Sequence, residues 1–344
     1  MARFPDRVQN IVTRYRVRFS ILLLVIVTVL YGATYQQFRH FNMADPRGAP
    51  DALSYIEMSH GNYNVNHLHR YRLLIPYMAS LVRKALHPLV ANEEELDKLS
   101  FYVVNFVIAT GTALLLFGVL TKLGFEWQLS ILGTIFFLIS RITVLCVGTP
   151  LVDSLYFFAI GAIVYLMLYE KVVLLACICP LLVLSKETII PFLFLPFAMR
   201  SMRNWKMVSS VLLSLSVFFV VAHITQREAV GTQPISLVTI VMGHVWSNVL
   251  LSLRRLCSPA GIHDLFNGFA FFAVLAPLGL LVDRRYRKYK IPNYLLLTIP
   301  IAFGLALISN NMGRMFFSAY VPVIAYPLVL IEHCFSAAAV EVKK

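Results

Sequence analysis

FYVVNFVIATGTALLLFGVL, residues 101–120, runs without one charged side chain. Coiled as a helix it reaches about 30 Å, the thickness of a bilayer's hydrocarbon core. Its apolar residues are continuous rather than alternating, which favours a lipid-spanning helix over a barrel strand. Nine further runs repeat the theme, giving expected spans near 19–35, 101–120, 128–146, 153–169, 172–184, 189–199, 207–224, 264–282, 291–308 and 316–333. The composition agrees with this pattern. Hydrophobic residues make up 59% of the 344, charged residues 14%, and mean hydropathy is +0.74, which is too little polar surface for a soluble globule. The expectation is an all-α, polytopic transmembrane helix bundle of about ten spans, forming a single membrane domain over 1–344. No internal repeat or low-complexity tract divides it.

Two of these runs, 172–184 and 189–199, are too short to cross alone at about 1.5 Å per residue. They read as a bent pair meeting at Ser185-Lys186-Glu187-Thr188 or as one kinked span. The basic residues of short loops favour the turn. With a cytoplasmic N-terminus, a turn there keeps Arg3, Arg7, Arg14, Arg16 and Arg18, the 200–206 cluster, the Arg284 to Lys290 cluster, Lys343 and Lys344 inside. A single span would put the two middle clusters outside. Both termini are then cytoplasmic, and residues 1–35 read as a retained signal anchor in a bacterial inner membrane. The five cysteines, Cys146, Cys177, Cys179, Cys257 and Cys334, follow neither a disulfide framework nor a zinc spacing. The net charge of +13 is spread over two membrane faces, which suits anionic lipid headgroups and argues against nucleic acid.

The polar chemistry collects on the outer face. The first extracytoplasmic loop, 36–100, is expected to carry two interfacial helices. One spans Asp51 to His60 and stops at Gly61; the other spans Leu73 to Leu86, with Pro76 in its first turn. Asn92, with Glu95 three residues on, reads as the cap of the helix that then enters lipid. Asp51 follows Pro50 at a helix start, so capping competes with any catalytic role. Glu57 reads as interfacial. His67 and His69, two apart in an extended segment, place both rings on one side, a pattern more often solvated or packed than metal-bound. Arg70 and Arg72 flank Tyr71. Lys186 sits in the turn between short helices, with Glu187 or Asp153 as an ordinary ion-pair partner. Arg254 and Arg255 end an interfacial stretch from Ile235 to Leu256 inside a second outer segment, 225–263, and Arg314 lies between the last two spans. Cations drawn from so many segments suit a phosphate, because arginine's fork matches its oxygens.

Asp51 with Tyr55 four residues on, the His69-Arg-Tyr-Arg-Leu-Leu-Ile-Pro76 run, and Leu184-Ser-Lys-Glu-Thr188 together resemble the GT-C superfamily of membrane glycosyltransferases, in its short bacterial branches. By motif the resemblance covers about residues 51–76 and 184–188. It implies transfer of a sugar from a polyprenyl-phosphate carrier to a glycan, lipid or protein acceptor on the external side, with Asp51 as base and Lys186-Glu187 near the lipid phosphate. Many relatives carry paired acids in the first loop, whereas here Asp51 is followed by Ala52 and the next carboxylate is Glu57. No cofactor is implied beyond the divalent cation that some such enzymes use.

The residues make chemical sense of that implication. A lipid phosphate is already a good leaving group, so its glycoside needs one base and no second acid, unlike an ordinary glycoside. Asp51 would deprotonate the acceptor while Arg70, Arg72, Lys186 and Arg314 hold the departing phosphate. Tyr55, Glu57, His67, His69, Glu187, Arg254 and Arg255 complete the expected binding set, and Phe192 to Phe197 offer a wall for the lipid tail. A carrier for a lipid-linked anion and a noncatalytic envelope-assembly protein are the competing classes. A carrier predicts a charged inward path, and an assembly protein predicts scattered charges.

Overall fold

A computed structural model describes residues 4–46, 49–66, 69–227, 248–286, 288–289, 291–309 and 311–341. It is all helical, 81% helix with no strand among the described residues. Among the described residues four helices are long and apolar enough to cross a membrane: Arg16–His40, Glu93–Leu123, Trp205–Thr225 and Met312–Ser336. A fifth crossing exists if one bent pair counts as a single span.

The elements between residues 36 and 100 follow from local sequence. Helix α1 (Phe4–His40) leads to α2 (Ala52–Ser59), which ends at His60, where Gly61 takes φ +85°, a conformation that costs glycine little. Helix α3 is Leu74–Leu86, with Pro76 in its first turn. Helix α4 (Glu93–Leu123) starts at Asn92, whose side chain accepts from the backbone N–H groups of Glu94 and Glu95 at 3.0 and 3.2 Å. Three glutamates in that first turn complement the helix dipole, and Gly124 closes the far end in the left-handed region. At about 46 Å, α4 is the central post of the bundle. It packs on α1, α3, α5 (Trp127–Leu138), α6 (Arg141–Gly148) and α7 (Asp153–Leu168).

Several expected spans are interrupted. The run 128–146 is two helices, α5 and α6, bent by 58°. Ser140 adopts an extended backbone there, and its Oγ accepts from the Thr143 N–H, starting a new helix inside an apolar run. The run 172–199 divides into α8 (Val172–Leu182) and a 3₁₀ helix, Glu187–Ala198, separated by Lys186 in extended conformation. Pro191 and Pro196 remove two helical N–H donors from the second piece. At about 2.0 Å per residue its twelve residues reach roughly 24 Å instead of 18. Helix α9 (Trp205–Arg227) packs back on α8.

Residues 248–256 form α10. The expected span 264–282 is likewise two helices, α11 (Pro259–Phe269) and α12 (Phe272–Tyr286), parted at Ala270, whose φ is +47°. Helix α13 (Thr298–Ile308) follows a short 3₁₀ turn. The last span is built from α14 (Met312–Phe316), one 3₁₀ turn and α15 (Tyr320–Glu341). Arg314 therefore lies inside the start of the last span and not in a loop between spans. Helices α12 and α15 run parallel in a fixed register: Gly279 lies against the Tyr326 backbone and the Tyr286 ring against His333, seven residues on along each helix. A Cβ at position 279 would come within 1.9 Å of the Tyr326 carbonyl oxygen, so the close approach requires glycine.

Candidate functional site

Helix α2 places Asp51 at its N-terminal boundary, but the side chain makes no capping hydrogen bond, and the residue's φ and ψ are already helical. The capping reading of Asp51 is thus not realised. The carboxylate turns away instead: Oδ1 lies 3.5 Å from His69 Nε2 and Oδ2 lies 3.5 Å from Arg314 Nη2. Both contacts are looser than a strong charge-assisted hydrogen bond, and 28% of the Asp51 side chain stays accessible.

Beneath Asp51 lies a buried ion cluster centred on Asp153, the first residue of α7. Lys186 Nζ donates to its Oδ1 at 2.6 Å, and Arg314 Nη1 donates to its Oδ2 at 3.1 Å. All three side chains are at least nine-tenths buried, so each charge depends on the others to offset its desolvation. The turn ahead of Asp153 is fixed from α4, where the buried Asn105 amide donates to the carbonyls of Thr149 and Leu151 at 3.3 and 3.0 Å. The Lys186 ammonium also sits 5.7 Å from the centre of the Tyr156 ring.

A second arm joins at Arg72. Its Nε and Nη2 donate to the two oxygens of Glu187 at 3.0 and 2.6 Å, a bidentate pair, and its Nη1 donates to the Tyr55 hydroxyl at 2.5 Å. Lys186 and Glu187, adjacent in sequence, thus serve different partners, Asp153 and Arg72. The Tyr55 ring lies 5.1 Å from that of His69. Burial, helped by the Arg72 guanidinium, pushes the His69 imidazole down to about 4, so it is neutral at pH 7. Its Nδ1 is buried without a hydrogen-bond partner.

Of the expected residues, the structure brings together Asp51, Tyr55, His69, Arg72, Lys186, Glu187 and Arg314. Others fall outside. Arg70 is buried but donates through Nε to the Val65 carbonyl at 2.8 Å, closing its own loop. Glu57 accepts from Asn62 on the exposed side of α2. Arg255 pairs with Asp264 across the α10–α11 junction, and Arg254 is exposed. His67 lies outside the described residues, as does 228–247 of the second outer segment. In the suggested lipid wall Phe192 is fully buried, while Phe194 is open. Asp153 is the member that sequence reading left outside the expected site and named only as an ion-pair partner for Lys186, a pairing the structure shows.

Metal binding finds little to use. Among the described residues no group of three or more His, Cys, Asp or Glu side chains is gathered as a metal site. Asp153 and Glu187 each give both oxygens to cations, and a divalent ion needs about six oxygen ligands. These residues do not fit such an ion, and no step is assigned to one.

No protein-family description, curated protein or solved structure matches this chain.

Proposed function

We propose that this protein is a GT-C-like membrane glycosyltransferase, moving a sugar from a polyprenyl-phosphate donor to a glycan, lipid or protein acceptor on the extracytoplasmic face. One observation carries the reading: Asp51, at a helix start, leaves its cap empty and faces Arg314 and His69 at the open edge of a buried cation cluster. The finer topology belongs to the same proposal: ten membrane segments, both termini cytoplasmic, in a bacterial plasma membrane.

In the proposed step Asp51 takes the proton of the acceptor hydroxyl as that oxygen bonds to the anomeric carbon. The bond from that carbon to the phosphate oxygen breaks on the opposite face, inverting the centre. Asp51, Asp153 and Glu187 balance Arg72, Lys186 and Arg314 in the resting site. As Asp51 becomes neutral, Arg314 loses part of its compensation just as the leaving phosphate gains negative charge. The two changes offset each other in a site with little water, where such compensation is strong. The neutral His69 holds Nε2 toward Asp51.

The test is transfer of labelled sugar from polyprenyl-phosphate donors by purified protein, wild type against Asp51→Asn. Full activity in the variant removes the base, and inactivity of the wild type with every donor removes the enzyme. The interrupted helix at Lys186 also suits a carrier for a lipid-linked anion, since broken spans line carrier sites. Movement of the intact donor across vesicles, without transfer, is the result that favours it.

A further inference from the structure

An apolar groove of about 210 Å³ opens between α12, α15 and the segment Asn293–Ile308, away from the Asp51 cluster. On α12 its wall is Ala273, Ala276, Pro277 and Leu280, spaced as one helical stripe. Phe316 and Tyr326 mark its length on the last span, ten residues or about 15 Å, which is the depth of one leaflet. The stripe does not end in lipid. One turn beyond Leu280, on the same face, comes Arg284, exposed, with exposed Arg285 beside it. Asp283 shares that turn, and its Oδ1 is buried without a hydrogen-bond partner.

These features point to one occupant. We propose that the groove holds one acyl chain of an anionic phospholipid whose headgroup carries hydroxyls, as phosphatidylglycerol does, with its phosphate at Arg284 and a headgroup hydroxyl donating to Asp283. The polar end is assigned to Arg284 because the lining at the opposite end, Ala273 and Phe316, is apolar. Phosphatidylcholine would fill the groove equally, but its quaternary ammonium has no N–H to give Asp283 and adds positive charge beside Arg284. The site is independent of the glycosyl-transfer proposal, since it uses none of the same side chains.

The experiment is native mass spectrometry of the whole protein released from nanodiscs of equal phosphatidylglycerol and phosphatidylcholine, with polyprenyl phosphate added in a separate arm. The wild type is expected to retain phosphatidylglycerol preferentially. Arg284→Gln should reduce that preference about fivefold, the effect of one interfacial arginine. Ala273→Phe, which fills the groove and leaves every charge in place, should reduce retention of both phospholipids. A circular dichroism melt of each variant separates lost lipid from lost fold, and Arg284→Gln, at an exposed site, keeps the test available if Ala273→Phe fails to fold. Unchanged preference in Arg284→Gln overturns the headgroup assignment. Unchanged retention in a folded Ala273→Phe, or displacement of phosphatidylglycerol by polyprenyl phosphate, overturns the occupant.

Discussion

Asp51 and Arg314 meet at 3.5 Å, carboxylate oxygen to guanidinium nitrogen, although one precedes the short helix α2 and the other opens the last span. Arg314 reaches past Asp51 to Asp153, so the accessible acid and the buried acid share one cation.

The first prediction separates chemistry from scaffolding at Asp51. A capping aspartate replaced by alanine costs about 1 kcal/mol of stability, but here no cap hydrogen bond exists to lose. Asp51→Asn should leave thermal stability in detergent within about 0.5 kcal/mol. On the proposed mechanism, sugar transfer by the variant should be about 10²- to 10⁴-fold slower than by the wild type, the usual contribution of a general base. A large drop in melting temperature with activity retained would reverse the assignment.

At Asp153 the expectation is the opposite balance. Asp153→Leu leaves Lys186 buried without its acid and should destabilise the protein by about 3–5 kcal/mol. Adding Lys186→Met removes the orphaned charge and should recover part of that loss. Denaturation of the two single variants and the double variant measures the coupling, and strict additivity would show that the pair is not the anchor.

Acid sensitivity should trace to His69. Its folded-state value, near 4, lies below the ordinary 6.5 of an unfolded chain. The unfolded chain therefore takes up the proton first as pH falls. The stabilising contribution is complete above about pH 6.5 and is lost progressively toward pH 4. His69→Gln should flatten that part of a melting-temperature profile taken from pH 7.5 to 4.5. An unchanged profile would place the acid sensitivity elsewhere.

Arg72 should not tolerate its nearest chemical relative. A lysine cannot reproduce the two parallel bonds to Glu187 together with the bond to Tyr55. Arg72→Lys should cost about 1.5–3 kcal/mol, and Tyr55→Phe about 1. In a double-mutant cycle with Glu187→Gln, coupling below about 0.5 kcal/mol would reject the bidentate pair as a structural tie.

What was legible in the sequence was local. Asn92, Gly61 and Pro76 announce helix boundaries within a few residues of themselves, and the structure places those boundaries within a residue or two. The break at Ser140 carried a readable sign, a serine preceding Thr143 by three, hidden by the apolar residues on either side. Ala270 carried none, because alanine is among the last residues expected at positive φ. Asp153 was legible as one of two partners for Lys186, but its tie to Arg314, 161 residues away, was not, because no spacing rule links an acid to a cation at such a separation. Arg70, beside the structurally engaged Arg72, is indistinguishable from it by pattern, and only the path of the loop turns it onto Val65.

The shared cation has a consequence for biogenesis. A ribosome makes Asp153 and Lys186 long before Arg314, so the emerging chain holds a half-complete ion cluster until its final span arrives. That span then acts as a keystone: until Arg314 docks, Asp51 lacks its guanidinium and one oxygen of the buried Asp153 carboxylate lacks its donor.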